Sequence, residues 1–362
     1  MLLADHVPPT WRTTIYRAPH ETTSVIRDAL ECVLPDRGNQ DSCQPSVDTV
    51  ALKHPHPQMI CGDCFQWLAQ RKENSIQAIV TDPPFGLIEY TEQELSKLRN
   101  GRGGVWRLPP TIGGCERKPL PRFTVLSRAQ LESIRTYFEH WGKLVMRILV
   151  PGGHIMIASN PLLAPFLSAG LIAAGLEVRG TIIRLVRTLR GGDRPKLAEK
   201  EFSSISVIPR SCYEPWELFR KPLHEKTVAA NLRLWKTGGL RRTPDGRPFP
   251  DVLKSEFPLP FETKIAPHPT LKPQRFLRQL AWAALPLGEG IILDPFMGSG
   301  STLAAASALG YASIGIELDA EFMTLAEKAV PRLRQIQTEW QGFESNGGSA
   351  HMGLTDYLTR TA

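Results

Sequence analysis

No stretch of this chain approaches the ~20 consecutive apolar residues that a bilayer-crossing helix needs, so its sequence excludes an integral helical membrane protein. The N-terminal residues Met1–Ala18 carry Asp5 and prolines and lack the apolar core of an export signal. Cysteine is scarce, with six in 362 residues. With no export signal, these are expected as thiols in a reducing cytoplasm rather than as a disulfide framework. Cys61-x-x-Cys64 has no second such pair and no Cys/His pair at ligand spacing, while Cys32, Cys43, Cys115 and Cys212 are scattered. A zinc site is therefore not expected, and no metal is assigned. A cluster of acids with a lysine, as a nuclease would need, is also absent from the sequence pattern.

What is present is an ordinary globular composition, 42% hydrophobic and 22% charged, enough to build a core. Lys and Arg number 43 against 36 Asp and Glu, a formal charge of +7 that suits a polyanionic partner such as nucleic acid.

The pattern along the chain divides it into five parts. Residues 1–50 are polar and Pro-rich, with the composition of a disordered arm. Residues 51–189 hold strands and helices in alternation, interrupted over 87–125 by a Gly-, Pro- and Arg-rich loop of a length usual for functional lids or disordered segments. Residues 190–262 are basic, dotted with aromatics, and read as an insertion outside the main sheet. Residues 263–340 return to strand–helix alternation, and 341–362 form a Gly/Ser-rich tail. The expected helices include about 128–149, 276–285, 302–309 and 322–337, and the expected strands 78–80, 154–158, 291–293 and 313–316, with one or two more near a sheet edge over 176–189. Alternation of this kind predicts an α/β fold with a doubly wound, mostly parallel, Rossmann-like sheet, whose ligands bind beyond the carboxyl ends of the strands. The loops after Val80 and Leu293 are then the ones to read for chemistry.

The segment Asp294-Pro-Phe-Met-Gly-Ser-Gly-Ser-Thr302 is a strand end feeding a glycine turn that opens a helix. Gly298 and Gly300 let the backbone pass close to a ligand. The Lys-Ser/Thr end of a phosphate-binding P-loop is missing, and the fuller G-x-G-x-x-G spacing of a dinucleotide site is not met. Asp294 before the turn suits a cationic ammonium better than a pyrophosphate. About 20 residues further on, where doubly wound nucleoside sites place an acid for ribose hydroxyls, stands Glu317. A ligand with an ammonium and a ribose but no phosphate has the form of S-adenosylmethionine.

Asp82-Pro83-Pro84-Phe85 follows a buried strand. Two prolines fix φ twice and remove amide donors, leaving the Pro83 carbonyl open to a substrate donor. An exocyclic amino group on a base is a poor nucleophile, because its lone pair is conjugated with the ring. The Asp82 carboxylate and Pro83 carbonyl can accept both of its hydrogens and favour a pyramidal nitrogen. Phe85 can stack on the base and align it. A base inside a duplex reaches such a pocket only by flipping out.

Together these motifs resemble the beta-class DNA amino-methyltransferases, whose catalytic motif precedes the cofactor motif. The similarity covers about residues 58–90, 140–189 and 264–330. Asp82–Phe85 resembles the family tetrad D/N/S-P-P-Y/F/W, and Asp294–Thr302 resembles its cofactor loop nearly letter for letter. His268-Pro-Thr-Leu-Lys-Pro273 resembles the segment that helps hold the methionine end, and Gly62-Asp63 the turn whose acid contacts the cofactor adenine. The resemblance implies Asp63, Lys272, Asp294, Phe296, Gly298, Gly300, Thr302 and Glu317 around S-adenosylmethionine, and Asp82, Pro83, Pro84 and Phe85 around the flipped base. It makes 190–262 the target-recognition region, with Arg190, Arg194, Lys196, Arg241 and Arg242 on DNA phosphates.

The implied activity is site-specific methylation of adenine N6 in double-stranded DNA by a cytoplasmic, nucleoid-associated enzyme. The family also admits a homodimer and a cognate restriction endonuclease as partners. The alternative is N4 of cytosine by the same chemistry. Family members with that target more often begin the tetrad with Ser, so Asp82 leans to adenine. An RNA base and a catalytically silent DNA-binding relative are the further alternatives; the intact Asp82, Pro83, Pro84, Asp294 and Glu317 speak against silence. Three features depart from the family pattern: Phe85 in place of the commoner Tyr, the long basic loop after it, and the N-terminal arm.

Overall fold

The computed structural model describes residues 56–84, 111–112, 115–116, 126–186, 194–195 and 197–338. The arm over 1–50, the tail over 341–362, most of the 87–125 loop, and the expected site residues Phe85, Arg190 and Lys196 lie outside the described residues.

In chain order the elements are β1 (Gln58–Cys61), α1 (Cys64–Gln70), β2 (Ile76–Thr81), the two-residue strands β3 (Thr111–Ile112) and β4 (Cys115–Glu116), α2 (Arg128–Ile148) and β5 (Leu149–Ala158). Then follow α3 (Ala164–Ala173), β6 (Glu177–Leu185), β7 (Tyr213–Arg220), α4 (Val228–Trp235), β8 (Val252–Lys254), α5 (Pro260–Ile265), α6 (Gln274–Ala284), β9 (Ile291–Asp294), α7 (Ser301–Ala308), β10 (Ala312–Glu317) and α8 (Ala320–Leu333). β3 and β4 form a small antiparallel pair of their own. The other eight strands make one sheet in the order β1-β10-β9-β2-β5-β7-β6-β8. β1, β10, β9, β2 and β5 are parallel neighbours, and β7 alone runs against the sheet, between β5 and β6.

Local sequence explains the elements. Ser127 and Gln130 close a capping box that starts α2. Its buried residues Ile134, Tyr137, Phe138, Trp141, Val145 and Ile148 recur at helical spacing and pack on one face of the sheet. The central strands are buried on both sides, as parallel strands covered by helices must be. Ile79 of β2 and Ile155 and Ile157 of β5 face the α2 side. Ala78, Val80, Met156 and Ala158 face α6 and α7, where they meet Phe276, Leu280 and Ala305.

The expectation that residues 190–262 lie outside the main sheet is corrected by β7, which fills a position inside it, and by β8, which pairs with β6 at its edge. The strand Tyr-Glu-Pro-Trp-Glu-Leu-Phe-Arg is hard to read as central because it holds three charged residues. Each is satisfied internally. Glu214 faces Arg184, Glu217 accepts from the Thr181 hydroxyl, and Arg220 pairs with Glu177, all on β6. Within the 176–189 segment, Glu177–Leu185 forms a single strand, second from the edge.

The turn after β9 depends on glycine. Gly300 caps α7 at φ 77°, and a Cβ there would collide with Val330 and lie 3.3 Å from Ala326 on α8. Gly300→Ala should therefore cost about 2–4 kcal/mol, from left-handed strain and overpacking. A denaturant midpoint unchanged from the unsubstituted protein would show that α8 yields freely to the methyl group.

Candidate active site

The order β9-β2 places the two sequence motifs side by side, at the carboxyl ends of adjacent strands where the sheet changes its winding. Their contact is direct. Thr81, the last residue of β2, donates its hydroxyl to Asp294 Oδ1 at 2.7 Å, and the Phe296 amide donates to the same oxygen at 3.2 Å. Thr302 hydrogen-bonds Asp294 as well. Asp294 is 3% exposed and has no cationic partner among the described residues. Burial, only partly offset by these hydroxyl and amide donors, lifts its pKa to about 6.

Glu317 ends β10 beside that turn. Its Oε2 accepts from the Gly298 amide at 2.8 Å and its Oε1 from the Asp319 amide at 2.9 Å, while burial raises its pKa. Gly62 donates its amide to the Glu317 carbonyl, which brings the end of β1 to the same place. Asp63 then caps α1 through Oδ1, accepting from the amides of Phe65 and Gln66. Gly298 sits at φ 51°, and a Cβ there would come within 3.1 Å of the His268 ring. That ring packs edge-on to Phe322 at 4.4 Å, and burial lowers its pKa to about 4, so His268 is neutral. Phe296 lies 6.1 Å from Trp141. The residue set fits S-adenosylmethionine: the buried Asp294 and the half-buried Glu317 hold only neutral donors and leave an ammonium and a ribose to be bound.

Lys272 is bound by carboxylates. Its Nζ hydrogen-bonds Asp82 Oδ2 and lies 3.5 Å from Glu214 Oε2, close enough to the glycine turn to act on the His268 ring. A lysine with a side chain 8% exposed must find carboxylates, and these are the two within reach. Asp82 follows β2 with its Oδ1 buried and without a partner in the structure. Burial raises its pKa in spite of Lys272. Glu214 is pushed up by burial too, but Lys272 and Arg184 together hold it below the ordinary carboxylate range. Pro83 is buried and Pro84 half-buried beyond Asp82. Sequence reasoning missed Glu214 and Arg184; acids and bases alternating with aromatics in β7 were the available signal.

The proposed phosphate contacts divide. Arg194 is exposed. Arg241 and Arg242 lie away from this cleft. Arg241 donates to the Tyr311 hydroxyl at 2.8 Å and stacks 3.6 Å over Trp282, and the Trp282 indole donates to the Arg242 carbonyl. Tyr311 precedes β10, so both arginines sit at the opposite end of the sheet from Asp82 and Glu317. Among the described residues no three His, Cys, Asp or Glu side chains gather as a metal site, and no helix is long and apolar enough to cross a membrane.

Comparison with known proteins adds the following. A family model for N6/N4 methyltransferases, described as DNA methylase, matches residues 198–328, from before β7 into α8. The type II methyltransferase M2.DpnII of Streptococcus pneumoniae is 24% identical over 273 residues, covering 75% of this chain and 88% of that protein. The DNA adenine methyltransferase YhdJ of Escherichia coli is 43% identical over 58 residues, 16% of this chain and 19% of that one. Among solved structures, the cytosine-N4-specific PvuII DNA methyltransferase is 14% identical with a TM-score of 0.49, covering 79% of this chain and 90% of that chain.

Proposed function

We propose that the chain is a DNA amino-methyltransferase of the N6/N4 class, whose family model matches residues 198–328, and that it methylates N6 of an adenine flipped out of double-stranded DNA at a specific site, with S-adenosylmethionine as donor. One observation carries the reading: the unpartnered Asp82 Oδ1 stands at the end of the strand whose last side chain, Thr81, hydrogen-bonds Asp294 of the cofactor turn. Acceptor and donor pocket are thus fixed to each other through a single hydroxyl.

S-adenosylmethionine supplies a methyl group made electrophilic by its sulfonium. Asp294 would hold its ammonium, Glu317 its ribose and Asp63 its adenine. The chain's own task is then to make an amide-like nitrogen nucleophilic. Asp82 accepts one amino hydrogen, and the Pro83 carbonyl, with no competing N–H on Pro83 or Pro84, accepts the other. Acceptors belonging to the chain itself stabilise the charge that develops on the nitrogen during transfer. After transfer the nitrogen carries one proton too many, and the nearby Asp82 carboxylate is the base that faces it. An acid at position 82 in place of Ser favours adenine over cytosine.

The test is incubation of the purified protein with duplex DNA and methyl-labelled S-adenosylmethionine, followed by digestion to nucleosides. Label in N6-methyl-2′-deoxyadenosine is expected. Label in N4-methylcytosine would replace adenine by cytosine in the proposal, and label in neither would end it.

A further inference from the structure

We propose that Glu214 is a positioning residue for methyl transfer: it shares Lys272 with Asp82, and takes over the lysine when a base's amino group reaches the Asp82 carboxylate. The inference deepens the methyltransferase reading and rests on it.

Four charged side chains from four segments meet here. Asp82 follows β2, Arg184 lies on β6, Glu214 on β7, and Lys272 just before α6. Two acids balance two bases. Lys272 Nζ bonds Asp82 Oδ2 and lies 3.5 Å from Glu214 Oε2. With a side chain 8% exposed it cannot retreat into water. Its two stations are therefore the two carboxylates.

Glu214 is held still. Its Oε1 accepts from the Trp216 indole at 2.8 Å, and the Arg184 Nη1 lies 3.4 and 3.5 Å from its two oxygens. Arg184 is itself anchored by the Ser255 hydroxyl at 3.0 Å and the Glu256 carbonyl at 2.9 Å, and it lies over the Phe276 ring. None of these contacts requires Lys272, so Glu214 keeps its place whether or not the lysine leans on it.

A station of this kind is needed because of what the lysine does to Asp82. An ammonium bonded to one carboxylate oxygen draws electron density from the other and weakens the carboxylate as an acceptor. Transfer requires a strong acceptor there. If Lys272 moves towards Glu214 as the amino group arrives, Asp82 recovers its strength while no buried charge is left without a partner. The exchange costs little because the total charge of the cluster is unchanged.

Charges facing Asp82 come from Lys272, Glu214 and Arg184, and from Asp294 across on β9. Removing either member of the shared pair should therefore move its titration in opposite directions. In Glu214→Gln the lysine belongs to Asp82 alone, and the acid limb of the single-turnover rate should move down by about one pH unit. The plateau rate should fall about tenfold, with DNA affinity within about twofold. In Lys272→Met two carboxylates adjoin without a cation, and the limb should move up by at least about one pH unit. Glu214→Asp keeps the charge and should keep the wild-type limb.

Rates would be measured from pH 4.5 to 8.5, with S-adenosylmethionine binding by calorimetry as the check on folding. Limbs that stay put, or shift the same way in Glu214→Gln and Lys272→Met, would overturn the proposal. If Glu214→Gln does not fold, the Lys272→Met limb decides alone, and no rise defeats the idea. A wild-type protein that methylates no base would instead sink the parent reading.

Discussion

Asp82→Ala should lower the rate of methyl transfer at saturating substrates by at least about 10²–10³-fold, the usual cost of removing one preorganised charge-stabilising group, with S-adenosylmethionine affinity within about twofold. The structure explains why the loss should be confined to the chemical step. Asp82 is bonded to Lys272 and not to any residue of the cofactor turn, whose acid Asp294 is held by Thr81, Phe296 and Thr302. When the Asp82 carboxylate is removed, Lys272 still has Glu214, 3.5 Å away and itself fixed by Trp216 and Arg184. The site thus loses its acceptor without stranding a buried ammonium, a loss that would otherwise destabilise the fold by several kcal/mol. Burst kinetics separate transfer from product release, and calorimetry gives the affinity. A variant that transfers normally but binds the cofactor weakly would mean that the two pockets had been exchanged.

The parts of this site that the sequence made legible are those built from short-range turn chemistry. A buried strand ending in Asp-Pro-Pro and another ending in Asp-Pro-Phe-Met-Gly-Ser-Gly announce their loops, because proline and glycine restrict or free the backbone regardless of what surrounds them. The α/β class followed from strand–helix alternation, whereas the side-by-side placement of β2 and β9 did not, because alternation does not fix the strand order. The side-chain partners were not legible. Lys272 belongs to a segment that resembles a cofactor motif, yet its ammonium goes to Asp82, 190 residues away in sequence. Arg241 and Arg242 look like phosphate contacts in a basic stretch; one stacks on Trp282, and both sit at the far end of the sheet. β7 was obscured for a related reason. Glu214 and Arg220 meet opposite charges on β6 and Glu217 accepts a hydroxyl there, cross-strand pairings that no local pattern reports.

Asp294 gives the second large effect, in cofactor affinity and its dependence on pH. In the unliganded protein its pKa is raised from an ordinary 3.8 to about 6, chiefly because burial disfavours the charged form. Taken alone, this group makes the unliganded fold lose stability as pH rises from 3.8 towards 6, since the unfolded chain releases the proton first. A bound ammonium reverses the preference by favouring the carboxylate. Binding below the raised pKa must therefore expel a proton, and affinity for S-adenosylmethionine should fall about tenfold for each pH unit below about 6. Between about 6 and 7 it should be flat, before the ligand's own amino group begins to titrate near about 8. His268, lowered to about 4, stays neutral over this window and cannot mimic the effect. Asp294→Asn retains an oxygen for the Thr81 hydroxyl but not the charge. It should weaken binding about 10–100-fold at pH 7, the scale of a lost buried charge pair, and abolish the slope below 6. If calorimetry instead finds the wild-type slope preserved in Asp294→Asn, the titrating group is another acid. Glu317, also raised by burial and joined to the turn through Gly298, would then be the residue that meets the cation.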